Sequence, residues 1–239
     1  MSETTIPSDI VLDERTNIAD VYIALMQQVV IRLDAVALSL AEAKSNPDHV
    51  NNWQNAEFCY LQIRKVCEYV ALAVLAAHGE YDGAKASNLE KEWHAAELFD
   101  KIAQLNPYSF PIPIQIQHDQ NGVGRHHLAP GIVKIQLSEI SGIYGSAGAR
   151  LHVGSLRNLL SGRLPPYDLA EVADWRNRFV QTLNIHSIRL PHVACILLVH
   201  LKDERDGQVH CAFAEAEGPF VIEGDATVFP TVFNVDQVH

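Results

Sequence analysis

Cysteine is scarce in this chain: four among 239 residues, at positions 59, 67, 195 and 211, and no two form a Cys-x-x-Cys pair. The spacing of a structural zinc ribbon is therefore missing. Long apolar runs are missing too. The longest, Val70 to Ala77, falls far short of the roughly 20 residues needed to span a bilayer. The N-terminus reads Met-Ser-Glu-Thr-Thr-Ile-Pro, without the basic region or apolar core of a signal peptide. These absences lead us to expect a soluble cytoplasmic protein with no membrane partner. Basic residues are also few: 18 Lys plus Arg against 29 Asp plus Glu leave a net charge of −11. Such a balance disfavours bulk binding to nucleic acid or anionic membrane, and leaves open only a local basic patch.

Several catalytic signatures are lacking as well. There is no His-Glu-x-x-His, no Glu-x-x-His, no Gly-x-Ser-x-Gly and no Gly-Lys-Ser/Thr phosphate-loop ending. Dimetal sites in helical bundles need Glu-x-x-His pairs on facing helices, so that chemistry has no anchor. Glu90, His94 and Glu97 share one expected helix face, but one such face does not close a metal site. His126 and His127 are adjacent, where side chains diverge. We expect neither a metal nor a cofactor. No internal repeat or low-complexity segment occurs.

What is present is a globular composition, 48% hydrophobic and 20% charged. The length fits one large or two small domains. Apolar residues at Ile18, Val21, Tyr22, Leu25, Val29, Leu33, Val36 and Leu40 predict a helix over 17–43, stopped by Ser45-Asn46-Pro47. A second helix is predicted from Val50 to His78, capped by Gly79, with its second half apolar nearly all round and hence central. Ser87-x-x-Glu90 opens a third, ended by Asn106-Pro107. Pro111 and Pro113 then forbid helix, and Ile112, Ile114 and Ile116 alternate as in an edge strand. A turn at 121–124 and a partner strand over 132–137 complete a predicted hairpin. Ser138 is the expected cap of a helix over 139–152. A short helix is expected near 155–160, and Asp168-x-x-Glu171 opens one that runs to about Leu183. Beyond it the period becomes two: 193–201, a polar turn at 203–207, then 208–216. Whether Cys195 and Cys211, or His200 and His210, face each other depends on the register of that hairpin.

The predicted class is α+β: a mostly α-helical bundle over 17–184 with a β-hairpin inserted near 110–137, then a small antiparallel β module over 185–239. Residues 1–16 are expected to be loosely held.

Three features bear on function. Gly142, Gly145 and Gly148 recur on one helix face, which predicts close approach by another helix or by a partner subunit, since each glycine costs a helix about 1 kcal/mol. Arg64 and Glu68 are four apart beside the most apolar stretch, with Glu57 further back. They predict a buried Arg64 paired first with Glu68 or Glu57. His152 falls in the last turn of its helix, where the dipole favours a cation.

Two stretches carry a resemblance. One runs from Phe58 through Arg64 and Glu68 to Gly79. The other is Tyr144-Gly145-x-x-Gly148-x-x-Leu151-His152-x-Gly154-Ser155-Leu156. They resemble an uncharacterised group of bacterial helical proteins with this signature, which in turn is similar to the last helix of HEPN-type domains. The resemblance spans about 55–162. It implies a helical bundle, a homodimer and, in ribonucleolytic members, an Arg and a His five to seven positions apart on one helix. The His would be His152; the Arg position holds Gly145, Ser146 or Ala147. Arg150 and Arg157 are the nearest replacements, and Arg150 diverges from His152 by about 200° on a helix. The resemblance thus implies a HEPN-like binding or regulatory module without the usual Arg/His pair, with Tyr144, Arg64 and Glu68 as binding candidates. Two alternatives stand beside it: a metal-independent ribonuclease using His152 with Arg150 or Arg157, and a small-ligand binder.

Overall fold

The computed structural model describes residues 14–46, 52–78, 98, 110–118, 124–128, 132–152, 160–161, 167–189, 195–216, 221–223, 226–228 and 233–237. Two long helices open the fold, α1 (Glu14–Ser45) and α2 (Asn52–Ala77). They run antiparallel: Arg32 of α1 donates to Gln62 Oε1 (2.8 Å) and to Tyr69 OH (3.2 Å), while Asn52 reaches back to the Asn46 carbonyl (2.9 Å). Tyr22, Met26, Val29, Leu33 and Val36, three or four residues apart, form the buried stripe of α1. The second half of α2 buries Val66, Cys67, Val70, Ala71, Ala73 and Val74, as its apolar run predicts. The expected third helix lies outside the described residues except Leu98, which is helical and buried.

Helix α3 (Leu137–Arg150) starts earlier than Ser138 predicts. Its first turn is held by Glu139, which accepts from the Gln136 N–H (2.8 Å) and from Arg178 (2.7 Å). The stretch before it, expected as a strand, is not one. The Ile135 N–H is taken by Thr182 Oγ1 (2.8 Å) and the Lys134 carbonyl by Arg178 (3.2 Å), so helix α4 (Leu169–Leu183) pins this segment instead of a neighbouring strand. Asp168 caps α4 as expected, accepting from the backbone of Ala170 (2.9 Å) and Glu171 (3.1 Å).

The strands are β1 (Ile112–His118), β2 (Gly124–Leu128), β3 (Ile185–Arg189), β4 (Cys195–His200), β5 (His210–Ala216), β6 (Val221–Glu223), β7 (Ala226–Val228) and β8 (Phe233–Gln237). Six form one antiparallel sheet in the order β2-β1-β3-β4-β5-β8; β6 and β7 pair separately. The partner of β1 in its hairpin is therefore 124–128, not 132–137. Nor is β1 an edge strand, since β3 lies on its other side. Among the described residues Pro113 pairs with β3 alone, and pairing with β2 begins at Ile114. The hairpin and the C-terminal strands thus belong to one sheet. The polar turn between β4 and β5 forms as predicted, with Gly207 at φ 72°, a conformation that favours glycine.

Both faces of β4 are buried. Leu197 and Val199 join the helical core, whereas Ile196 and Leu198 cluster with Ile114 and Ile185. That accounts for its nearly continuous apolar run. In register, His200 lies opposite His210. Cys211 lies opposite Val199 and Cys195 opposite Glu215, so the two cysteines do not face each other. On β3, His186 is fully buried, with Nδ1–H donating to the Leu183 carbonyl and Nε2 accepting from Tyr22 OH, each at 2.8 Å. This contact docks α1 onto the sheet.

Candidate functional site

Glu57, Tyr60, Arg64 and Glu68 follow one another at intervals of three and four, which places them on one face of α2. That face turns toward α3 and the start of α4. The Arg64 guanidinium lies over the Tyr144 ring, 3.9 Å from its centroid, and Nη2 donates to Tyr144 OH at 2.5 Å. Arg64 Nε is 3.7 Å from Glu68 Oε1, and the other oxygen of Glu68 is taken by Lys65 at 2.7 Å. Four residues beyond Tyr144 comes Gly148, buried; a Cβ there would collide with Arg64 Nη1. The glycine is what lets the guanidinium lie flat against α3.

A second group sits nearer the start of α2. Tyr60 OH accepts from the Asp168 N–H (3.0 Å), and its own proton is shared between the Asp168 carbonyl (3.2 Å) and Glu171 Oε2 (3.3 Å). Arg150 Nη2 reaches the same Glu171 oxygen at 3.5 Å, with its guanidinium 6.0 Å from the Tyr60 ring centroid. Tyr167 OH donates to Glu57 Oε1 at 2.5 Å. The result is a seam of tyrosines and arginines between three helices, closed by carboxylates.

Burial raises the pKa of Tyr60 and Tyr144. Burial and the hydrogen bond to Glu57 raise Tyr167 to about 12. All three phenols are therefore neutral donors near pH 7. Burial likewise raises the Cys59 and Cys67 thiols, which stay protonated. Among the described residues, no group of three His, Cys, Asp or Glu side chains is placed to hold a metal ion.

The structure brings Arg64, Tyr144 and Glu68 together. Glu57 belongs to Tyr167 rather than to Arg64, and the Arg64 side chain is 30% exposed rather than buried. Water reaches it because the seam opens at the helix surface. Gly142 and Gly145 are exposed, and a Cβ at either position meets nothing within 4 Å. Among the described residues, the close approach predicted for the three glycines is seen at Gly148 alone. His152 is exposed in the turn after α3, while Arg150 turns toward Glu171. Arg157 lies outside the described residues. Sequence reasoning missed Tyr60, Tyr167 and Glu171 as members of the seam. Tyr60 stands four residues before Arg64, and that spacing was a usable signal. The Asp168-x-x-Glu171 spacing predicts only a capping role for Glu171, whereas its side chain faces Tyr60 of α2 and Arg150 of α3.

Fold and seam define an α+β protein in which helices pack on an antiparallel sheet and a partly exposed polar seam runs along one face of α2. No family model matches the chain, and neither does any curated protein or solved structure.

Proposed function

We propose that this protein is a HEPN-like helical module that binds or regulates rather than cleaves, with the seam of Arg64, Tyr144, Glu68 and Arg150 as its binding edge. One observation carries the reading. Arg150, the described arginine nearest in sequence to His152, has its guanidinium at Glu171 and Tyr60, whereas His152 is exposed beyond the helix end. An Arg/His pair acting on one phosphate needs both groups aimed at one point, and Arg150 is engaged elsewhere. The half-exposed Arg64 on the Tyr144 ring offers a cation–aromatic surface instead. The net charge of −11 favours small or local ligands over long polyanions, and a cytoplasmic setting without membrane contact belongs to the same reading.

Incubation with single-stranded and hairpin RNA in EDTA tests this. The wild type and His152→Ala are expected to leave the RNA intact. Cleavage by the wild type that disappears in His152→Ala replaces this proposal with a metal-independent ribonuclease. A thermal-shift screen of nucleotides, repeated with Arg64→Met, is expected to show shifts that the substitution removes.

A further inference from the structure

We propose that the furrow between α1 and α2 binds an aliphatic carboxylic acid, with Arg32 as the receptor for its carboxylate. Arg32 projects from the middle of α1 toward α2 and is only partly exposed. Its guanidinium carbon lies 4.9 Å from the centroid of the Tyr69 ring. Nη1 donates to Gln62 Oε1 at 2.8 Å and Nη2 to Tyr69 OH at 3.2 Å. Both acceptors are uncharged groups, an amide and a phenol, and Gln62 is itself buried. A third donor, Nε, is shut off from water and has no acceptor.

Other arginines at the helix junctions are neutralised within the chain. Arg64, Arg150 and Arg178 are each partly buried, and each has a carboxylate oxygen nearby, at 3.7, 3.5 and 2.7 Å. Among the described residues Arg32 has none. Supply is not the reason, because the chain carries 29 Asp plus Glu. One turn to either side of Arg32 stand Gln28, Val29, Ala35 and Val36. On α2 the only charged residue three or four positions from Gln62 or Tyr69 is Lys65, a second cation. A partly enclosed charge without a counter-charge is costly, so an anion that reaches it is held.

The neighbours of Arg32 along the furrow select the kind of anion. The helices are antiparallel and Arg32 is level with the stretch from Gln62 to Tyr69, so Leu38 stands level with Phe58 and Leu61. All three are exposed, Leu38 to 73%. They lie about 9 Å along the helix axis from Arg32, a span that a medium-length alkyl chain covers. At the other end Val21 and Leu72 are exposed as well. A single unpaired cation flanked by apolar side chains suits a carboxylate with a hydrocarbon tail better than a phosphate or a sugar acid.

A bilayer around α1 fits less well, although the stretch Ala19–Ser45 is long and apolar enough to cross one. Arg32 would then sit near the middle of the span, where a guanidinium is expensive, and Tyr22 is already bonded to His186 of the sheet. The furrow is also separate from the seam of Arg64 and Tyr144. Gln62 and Arg64 are two residues apart, about 200° round α2, so this site stands independently of the function proposed above.

Calorimetric titration of the full chain with decanoate, kept below its micelle concentration, tests this. The wild type should bind it. Each buried methylene group strengthens binding about fourfold, so butyrate should bind far more weakly. 1-Decanol, which has the tail without the charge, should bind at least tenfold more weakly than decanoate. Arg32→Met should lose at least tenfold in decanoate affinity. Gln62→Glu tests the same point with Arg32 retained. It supplies the counter-charge within the chain, so it should raise the melting temperature and exclude decanoate. Loss of binding in a variant at least as stable as the wild type does not come from unfolding. A wild type that does not bind decanoate overturns the inference. So does binding that 1-decanol matches, or that survives both Arg32→Met and Gln62→Glu.

Discussion

Two tyrosines anchor two junctions of this fold, and they do it in opposite ways. Tyr22 joins α1 to the sheet through His186, and both are excluded from water. Tyr144 joins α3 to α2 through Arg64, which is partly open to water. The deep junction is neutral and the shallow one is charged. Burial enforces the difference: an imidazolium without a counter-charge is costly in the interior, so burial holds His186 neutral, with its pKa lowered to about 4. A guanidinium cannot shed its proton, so it stays where solvent and an aromatic face help to support it. The deep contact is thereby committed to holding the fold together, and only the shallow one keeps a surface that a ligand can reach.

Acid should break the deep junction first, with the largest effect expected. In the unfolded chain His186 takes up a proton as the pH falls through about 6.5, whereas in the fold it does not until about pH 4. The unfolded state therefore binds more protons between these values, and stability falls as the pH is lowered through that window. The loss levels off below pH 4 at on the order of 3 kcal/mol. His78, also lowered by burial, adds a loss of the same sign. Urea unfolding from pH 7.5 to 4.5 measures this, and His186→Gln should flatten the profile. A profile unchanged by that substitution removes His186 from the account.

At the shallow junction the glycines of α3 provide the next contrast. Gly145→Ala adds a methyl group to open space and should stabilise the helix by up to about 1 kcal/mol. Gly148→Ala gains the same propensity but must displace the Arg64 guanidinium, so it should come out neutral to about 1 kcal/mol destabilising. The sign difference between the two variants is the observable. Equal gains would mean that Arg64 does not lie against Gly148.

Arg64→Met comes next. Its exposure and the second partner of Glu68 bound the cost. Lys65 remains 2.7 Å from Glu68, so no carboxylate is stranded. The variant loses mainly the contact with Tyr144, about 1 kcal/mol, well short of the ~3 kcal/mol that a buried pair implies. Denaturant midpoints for the wild type, Arg64→Met, Tyr144→Phe and the double variant, compared in one cycle, isolate the coupling between the guanidinium and the phenol hydroxyl.

Much of the architecture was legible from period and punctuation. Both long helices end within about three residues of where their apolar spacing and the Ser45-Asn46-Pro47 break place them. The hairpin of β4 and β5 follows its two apolar runs and the polar turn between them that carries Gly207. What escaped was decided by tertiary partners. Strand β3, Ile-His-Ser-Ile-Arg, buries His186, Ser187 and Ile188 in succession, so it shows no alternation; Tyr22, far away in sequence, makes His186 acceptable there. The stretch before α3 looks like a strand, but Thr182 and Arg178 take its backbone groups. In the seam, the i, i+4 spacing located Arg64 and Glu68 on one face, yet nothing local to α2 states which side of that face meets water. That depends on how far α3 and the start of α4 reach over it.

His152 gives the smallest expected effect and the sharpest use of the contrast between deep and shallow groups. Its position in the turn after α3 gives it the negative end of that helix as a neighbour. A tie to α2 would make it a structural cap, and its removal would then lower the melting temperature by several degrees. The imidazole is exposed instead, so little desolvation or packing is at stake. His152→Ala should therefore change stability by no more than ~0.5 kcal/mol. The seam partners of Arg150, Glu171 and Tyr60, stay in place in this variant. Nucleotide-induced thermal shifts that depend on Arg64 should accordingly persist. A loss of several degrees would show that the side chain is held by contacts. Unchanged stability with abolished nucleotide shifts would extend the binding edge from Arg64 to the end of α3 and place His152 in it.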